Sequence, residues 1–214
     1  AILFVSHDMN AVKILCERAL LLDKGEILQI GKPEKIINAY NYLLSKKQGD
    51  NDLKVIHQSE DSMVYGNQKA IISQIDIKNR HGKRTEIIAS GQFCRIDIEI
   101  KARDALSDVT IGIMIRDRYG QDIFGVNSFH LNVPINLNKG DCKVISYEFK
   151  EFNVGPGIYT LTVAAHSEEI HIHNCYQWID NAAEFEVVSG NGFIFDGVSR
   201  LTPELLIQQS SDNH

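Results

Sequence analysis

The tripeptide Ser6-His7-Asp8 holds the three residue types of a hydrolase triad and follows the apolar run "ILFV". In such a triad the nucleophile, the base and the carboxylate converge from separate segments of the chain. Neighbouring side chains of an extended segment point to opposite faces instead. The pattern therefore predicts no nucleophilic catalysis at these three residues.

Two imidazoles, His171 and His173 of "HIHN", lie on one face of an extended segment. No third ligand lies within reach in the sequence, whereas zinc takes three or four protein ligands, so we expect no metal there. The cysteines are far apart and form no CxxC pair; they are Cys16, Cys94, Cys142 and Cys175. This spacing favours free thiols in a reducing cytoplasm over a zinc site or a small disulfide framework.

The chain has 214 residues and a formal net charge of −6. Its length accommodates one or two domains with packed cores. The negative charge argues against nucleic acid as a partner, because a phosphate-binding face needs clustered Lys and Arg. We expect no membrane span, since no apolar run reaches about 18 residues, and the first residues lack the pattern of a signal peptide.

Residues 1–45 have an α/β pattern. The continuous apolar run "ILFV" predicts a strand buried on both faces of a parallel sheet, and "NAVKILCERA" follows with helical spacing. "ALLLDKGEILQIG" predicts a hairpin around its "DKG" turn. "KPEKIINAYNYLL" predicts a helix with Pro33 in its first turn and an apolar stripe along one side.

The rest of the chain changes character twice. Residues 46–62 are polar and without hydrophobic period, which predicts a linker. From residue 63 to residue 190 the period becomes two, with turn signals between short strands, which is typical of an antiparallel β-sandwich. Residues 191–214 offer one more strand, "FIFDGV", and a tail; we expect this strand to pair across a dimer.

Alternation within the predicted strands separates a core face from a solvent face. The core face collects the apolar positions Ile96, Ile98, Ile100, Ile111, Ile113, Ile115, Tyr159, Leu161, Val163 and Ala165. The opposite face of two of these strands carries small and polar side chains, namely Gly112, Met114, Arg116, Thr160, Thr162, Ala164 and His166. This second face is flat and shallow, so a ligand has room to lie on it.

Near its start the chain has "ILFVSHD", then a predicted helix and then "LLLDKGEILQIGKPEKII". This stretch resembles the end of an ABC-transporter nucleotide-binding domain. The resemblance implies that His7 is the switch histidine that contacts the γ-phosphate of ATP in a parent chain that uses ATP and Mg²⁺. This sequence lacks the G-x-x-x-x-G-K-[ST] loop, the signature segment and the magnesium carboxylates. We therefore expect a fragment without catalysis or a cofactor of its own, whose ATP-binding portion lies upstream.

Two segments of the predicted sandwich are distinctive: "IGIMIRDRYGQDIFGVNS", and the stretch from "GPGIYTLTVAAHSEE" to "YQWIDNAAEFEVV". They resemble the C-terminal domain of Wzt-type exporter subunits. That resemblance implies an immunoglobulin-like sandwich that binds the modified non-reducing end of a finished O-antigen polysaccharide. It also implies a homodimer that works with a transmembrane subunit, in the cytoplasm and peripheral to the inner membrane.

Carbohydrate sites combine an aromatic plate for the apolar face of a sugar ring with polar groups for its hydroxyls. Under the implied function, we expect the glycan to contact Arg116, Asn127, Thr160, Thr162, His166, Tyr176 and Trp178.

These candidates have structural alternatives. The sheet face is also compatible with plain solvation or a dimer contact, and Trp178 with a place in the core. Asn127 can satisfy its own turn, and Arg116 can pair with Asp117 or Asp122 instead of a glycan. At the level of function, the alternative is an interaction or dimerisation domain without glycan contact. A glycoside hydrolase would need two carboxylates at a set separation.

Overall fold

The computed structural model describes residues 2–47, 52–59, 62–167, 174–190 and 193–206. Its helices are α1 (Met9–Leu15) and α2 (Pro33–Lys47). Its strands are β1 (Ala19–Asp23), β2 (Glu26–Gly31), β3 (Lys54–Gln58), β4 (Met63–Gly66), β5 (Ala70–Lys78), β6 (Ile87–Ala89), β7 (Cys94–Ala102), β8 (Leu106–Asp117), β9 (Asp122–Asn127), β10 (Ile135–Leu137), β11 (Cys142–Phe149), β12 (Gly157–Ser167) and β13 (Cys175–Val188). The predicted mainly β fold with a short α/β start is confirmed.

The N-terminal segment, residues 2–47, is built on the β1–β2 hairpin. Lys24 and Gly25 have φ values of 49° and 86°. A type I′ turn requires positive φ at both central positions, and this turn matches the twist of a two-residue hairpin. The predicted hairpin is therefore confirmed.

Helix α2 lies against this hairpin. It begins at Pro33, where a fixed φ and a missing N–H cost the helix nothing. Ile36 and Ala39 form a small core with Leu21 of β1, and Tyr40 packs at its edge. Of the apolar stripe predicted for this helix, Ile36, Tyr40 and Leu43 contact this small core, whereas Ile37 lies towards the sandwich.

The strand predicted over "ILFV" is wrong. Ile2, Leu3 and Val5 are exposed, and the first strand begins at Ala19. A strand buried in a parallel sheet needs strands beside it, and none of the described strands pairs with this segment.

The sandwich consists of two sheets. The larger has the order β10-β8-β12-β13-β4-β3, with β9 paired to β8 and β6 paired to β13. The smaller has the order β11-β7-β5. All the pairs in both sheets are antiparallel except β6–β13. The predicted antiparallel sandwich is confirmed.

One hydrophobic core fills the space between the sheets. It contains all ten positions predicted for the core face, including Ile98 of β7, Ile113 of β8 and Leu161 of β12. Phe152 and Phe185 meet edge to face at 6.0 Å in the same core. The predicted alternation of core and outer faces is thus confirmed in these strands.

Two predicted segments differ in the structure. Strand β3 lies inside the predicted linker and pairs with β4, so the large sheet begins there. The strand predicted over "FIFDGV" does not form, and residues 193–198 run without a strand. An isolated bridge between Val154 and Ser199 holds the chain that follows. The strand exchange across a dimer stays a prediction.

Candidate functional site

The outer face of the large sheet was predicted to be open to solvent, and this prediction is wrong. Thr162 and His166 of β12 are only 2% and 3% exposed, and Ala164 between them is buried as well. Ala164 packs in a second apolar cluster with Leu53 of the predicted linker, and Tyr42 of α2 packs against that cluster. The N-terminal segment and the chain after it therefore cover this face.

A polar cluster occupies one half of the covered face. We use this name for Lys13 and Asn38 of the N-terminal segment together with Arg116, Asp122, Thr162 and Asp180 of the large sheet. Alternation places Arg116 and Thr162 on the outer face of neighbouring strands, and Asp180 follows Trp178 by two residues on β13. The fold thus gathers polar and charged groups from six elements.

Arg116 is the centre of this cluster. Its Nε donates to Asp122 at 2.7 Å, and its Nη1 donates to Thr162 at 2.7 Å and to Asp180 at 3.0 Å. Thr162 Oγ1 donates to the same Asp180 oxygen at 2.9 Å. The side chain of Arg116 is 14% exposed and that of Asp180 is 5% exposed. The ion pair between Arg116 and Asp122, predicted as the alternative to glycan contact, is present, and Asp180 is a second carboxylate partner of Arg116.

Two side chains of the N-terminal segment close the cluster. Asn38 Nδ2 donates to the second oxygen of Asp180 at 2.6 Å, and Lys13 Nζ lies 3.3 Å from Asp122 Oδ1. Burial and the nearby charge of Arg116 lower the pKa of Lys13, while Asp122 opposes that shift. The cluster therefore joins the two parts of the chain through charged and buried groups.

A cleft of about 250 Å³ opens beside the polar cluster, between the N-terminal segment and the sandwich. Three cations and four carboxylates line it together with polar and apolar groups. They are Lys13, Glu34, Ile37, Asn38, Arg116, Asp117, Arg118, Gly120, Ile158, Thr160, Asp180, Asn181 and Glu184. Of the predicted site residues, Arg116 and Thr160 reach this cleft.

An aromatic cluster, Tyr42, Tyr65 and Trp178, occupies the other half of the covered face. Trp178 stacks on Tyr65 with centroids 6.0 Å apart and an angle of 13° between the rings. Tyr42 of α2 meets Tyr65 edge to face at 5.6 Å. Trp178 is buried as the structural alternative predicts, but it lies on the covered outer face and outside the core between the sheets.

The remaining predicted site residues lie elsewhere or face inward. Tyr176 is buried in the main core, and His166 Nδ1 lies 3.1 Å from the Ser167 carbonyl oxygen. Asn127 ends β9, and its side chain accepts a hydrogen bond from the backbone N–H of His130 at 2.7 Å. The turn-capping alternative predicted for Asn127 therefore describes its contact.

Four members of the polar cluster were not among the predicted site residues: Lys13, Asn38, Asp122 and Asp180. A signal for Asp180 was present, because it stands two residues from Trp178 on one strand and so shares its face. Asn38 and Tyr42 stand four residues apart on α2 and so share one side of the helix. The docking of that side on the sandwich has no signature in the sequence.

The other predicted chemical groups are not gathered into a site. His7 is exposed ahead of α1, and the two histidines of "HIHN" lie outside the described residues. The four cysteines are free, and burial raises the pKa of Cys94 to about 12. Among the described residues, no group of three His, Cys, Asp or Glu is placed to hold a metal ion, and no helix is long and apolar enough to cross a membrane.

The outer face of the small sheet carries a second ionic network, centred on Asp97 of β7. Lys78 Nζ lies 2.7 Å from one carboxylate oxygen, and Arg95 Nε and Ser146 Oγ lie 3.1 and 2.7 Å from the other. Burial acts to raise the pKa of Asp97, but the hydrogen bonds from Lys78 and Ser146 and the two positive charges outweigh it and lower the pKa.

Comparison with known proteins identifies the sandwich. The family model of the Wzt C-terminal domain matches residues 61–201. The crystal structure of the C-terminal domain of wzt superposes with a TM-score of 0.63 at 17% identity, covering 70% of this chain and 90% of that one. Because the identity is low, this likeness shows the fold alone.

Two curated proteins match shorter stretches. ABC transporter protein AbcA of Aeromonas salmonicida is 49% identical over 43 residues, which is 20% of this chain and 14% of AbcA. Teichoic acids export ATP-binding protein TagH of Lactococcus lactis is 33% identical over 90 residues, which is 39% of this chain and 19% of TagH. The match thus spans less than a fifth of either relative. Because the family model matches more than half of the residues of this chain, the chain belongs to the Wzt C-terminal domain family.

Proposed function

We propose that this chain is the glycan-recognition part of an ABC exporter and binds the modified non-reducing end of a finished O-antigen polysaccharide. The observation that carries the proposal is the family match over residues 61–201, which includes most of the residues lining the cleft. Recognition of a finished end would let export begin only after chain termination.

The chemistry of the cleft suits sugar hydroxyls. Carboxylates accept hydrogen bonds, guanidinium and ammonium groups donate them, and a hydroxyl can do both. Thr160 adds a hydroxyl and Asn181 an amide to the charged groups. The volume of about 250 Å³ lies just below the range of roughly 300–1,000 Å³ for small-molecule pockets. This size suits one chain end better than a long stretch of polymer.

The charge of the cleft favours an uncharged glycan end. Its three cations face four carboxylates, and the whole chain has a net charge of −6. A polyanion such as a teichoic acid, the cargo named for the TagH relative, would meet repulsion instead of a cationic groove. We therefore propose a neutral polysaccharide terminus.

The predicted residues take different parts in this proposal. Arg116 and Thr160 line the cleft and contact the glycan, and Thr162 holds the Arg116 guanidinium. Trp178 and His166 are buried on the same covered face but outside the cleft, and do not contact the glycan. The glycan therefore finds no aromatic plate from the predicted set, and polar contacts carry the recognition.

We further propose that the N-terminal segment is the end of an ATP-binding domain, on the basis of the resemblance of "ILFVSHD" and "LLLDKGEILQIGKPEKII" to that domain. This chain has no glycine-rich phosphate loop, so the residues present do not form a site for ATP and Mg²⁺ around His7. We assign no nucleotide chemistry to the chain itself. The transmembrane subunit of the exporter remains a proposed partner, and the place of action would be the cytoplasmic side of the inner membrane.

Titration calorimetry tests the proposal on the full 214-residue chain. The ligands are the O-polysaccharide of the source strain and the same polymer from a strain that lacks the terminating enzyme. We expect heat of binding with the modified polymer only. A Thr160→Trp variant, which fills the cleft, should lose binding, whereas Val144→Trp on the exposed outer face of the small sheet should retain it. Equal binding of both polymers, or none, would contradict the proposal.

One observation favours the alternative of a protein-interaction or dimerisation domain. Phe129, Leu131 and Val133 are about half exposed in the loop after β9. Several large apolar side chains exposed on one loop favour a contact surface there. Light scattering at micromolar concentration tests this: a dimer that becomes a monomer in Leu131→Asp would support an interface at this loop.

A further inference from the structure

Both parts of the chain build the cleft. The N-terminal segment contributes Lys13, Glu34 and Asn38, and the sandwich contributes Arg116 and Thr160 together with the end of β8 and the middle of β13. We propose that a glycan in the cleft clamps the N-terminal segment to the sandwich, so that occupancy of the site is transmitted directly to the ATPase-like segment. This inference rests on the proposed function, because it uses the same site and the same ligand.

The first support is that the two parts already touch through buried polar groups. Asn38 donates to Asp180 at 2.6 Å, and Lys13 pairs with Asp122 at 3.3 Å. Asp180 and Asp122 both accept from Arg116, which faces the cleft. A ligand that displaces or tightens a contact of Arg116 therefore acts on the two carboxylates that hold the N-terminal segment.

The second support lies outside the cleft. Tyr42 of α2 meets Tyr65 of β4 edge to face, and Tyr65 stacks on Trp178 of β13. Tyr65 is completely buried, so this contact is a packed one. Helix α2 thus rests on the sheet at two places, one polar beside the cleft and one aromatic away from it.

The consequence follows from linkage. A ligand that touches both walls binds the docked arrangement more tightly than an undocked one, so it must shift the equilibrium towards docking. The linkage works in both directions, so loosening the docking lowers the docked fraction and weakens ligand binding in proportion to that fraction. Tyr42 separates this effect from direct contact, because it holds α2 without lining the cleft.

The experiment combines hydrogen exchange with binding on the full chain. Amide exchange of α2 is measured with and without the modified O-polysaccharide of the source strain, and the affinity is measured for wild type, Tyr42→Ala and Tyr42→Phe. Tyr42→Phe is the matched control, because it keeps the ring that meets Tyr65. We expect the polysaccharide to slow exchange in α2. We expect Tyr42→Ala to weaken binding at least about fivefold, the lower end of typical couplings, and Tyr42→Phe to bind like wild type.

The outcomes distinguish the two proposals. If the polysaccharide binds wild type but leaves α2 exchange and the affinity of Tyr42→Ala unchanged, the clamp is overturned and the proposed function stands. If the polysaccharide does not bind wild type at all, both fail together. Protection of β8 and β12 amides in Tyr42→Ala verifies that the sandwich is folded. The effect of the polysaccharide on wild-type α2 decides the question even if that variant unfolds.

Discussion

The outer faces of the two sheets carry ionic networks of similar composition in different surroundings. On the small sheet, Asp97 binds Lys78 and Arg95, whose side chains remain 21% and 32% exposed. On the large sheet, Asp180 binds Arg116 beneath α2, and Asn38 of that helix completes the contact. The same residue types thus form a network whose cations still reach water on one face and a buried joint on the other.

The difference lies in what covers each face. Cations that can still reach water lose little when a partner is removed, because the solvent replaces it. A buried cation without its partner retains the full cost of desolvation. Only the network on the large sheet should therefore govern both stability and the position of the N-terminal segment.

The largest effect is expected for Asp180→Ala. The substitution leaves Arg116 with Asp122 as its remaining carboxylate and removes the acceptor of Asn38, so the free energy of unfolding should fall by about 3–5 kcal/mol. Urea denaturation of the full chain measures it. The control Asp104→Ala removes an exposed carboxylate and should change stability by less than about 0.5 kcal/mol. A loss below about 1 kcal/mol for Asp180→Ala would break the contrast between the two faces.

Asn38→Ala should have the next largest effect. It removes a hydrogen bond to a charged group while leaving the sandwich side of the network intact, so we expect a loss of about 1.5–3 kcal/mol. Hydrogen exchange should accelerate in α2 and remain slow in β12. Lys46→Ala, at an exposed position of the same helix, is the control. Unchanged α2 exchange in Asn38→Ala would show that this bond does not hold the helix.

A smaller effect is expected for Asp97→Ala on the small sheet. Lys78 and Arg95 can turn to water after the substitution, so the free energy of unfolding should fall by about 1–2 kcal/mol. Urea denaturation of Asp97→Ala and Asp180→Ala under the same conditions compares the two losses of stability directly. If Asp97→Ala were the more damaging of the two, burial would not be what separates the faces.

The smallest expected effects are changes in stability with pH, one in the acidic range and one in the alkaline range. The pKa of Asp97 is lowered in the folded state, so its stabilisation is complete above the ordinary pKa of 3.8 and is lost as the pH falls through the lowered value. The stability difference between wild type and Asp97→Asn should therefore narrow in acid. A difference that stays constant down to acid unfolding would contradict the lowered pKa.

Lys13 should behave in the opposite sense. Burial lowers its pKa in the folded chain below 10.5, its ordinary value. Between the lowered pKa and 10.5, the unfolded chain therefore binds more protons than the folded chain. The contribution of this residue to stability should therefore rise with pH in that interval, and Lys13→Met should abolish the rise. Denaturation midpoints of both proteins between neutral and alkaline pH measure it.

Strict alternation made the sandwich predictable from the sequence. Strand β7 spans Cys94–Ala102, and its three isoleucines fill the core as expected, because a period of two fixes which side chains share a face. The candidate site was less predictable. Alternation placed Thr162 and His166 on the outer face, but it carries no information on whether another element covers that face. The covering helix comes from a distant segment whose docking depends on tertiary contacts such as Asn38–Asp180.

A double-mutant cycle between Asn38 and Asp180 tests most directly whether the N-terminal segment is built into the site. The free energies of unfolding of wild type, Asn38→Ala, Asp180→Ala and the double variant are measured in urea. Side chains in contact through a buried hydrogen bond should be coupled, and we predict an interaction energy of about 1 kcal/mol or more. Effects that add to within about 0.5 kcal/mol would show that the two side chains do not act on each other, and would contradict a cleft with one wall from each part of the chain.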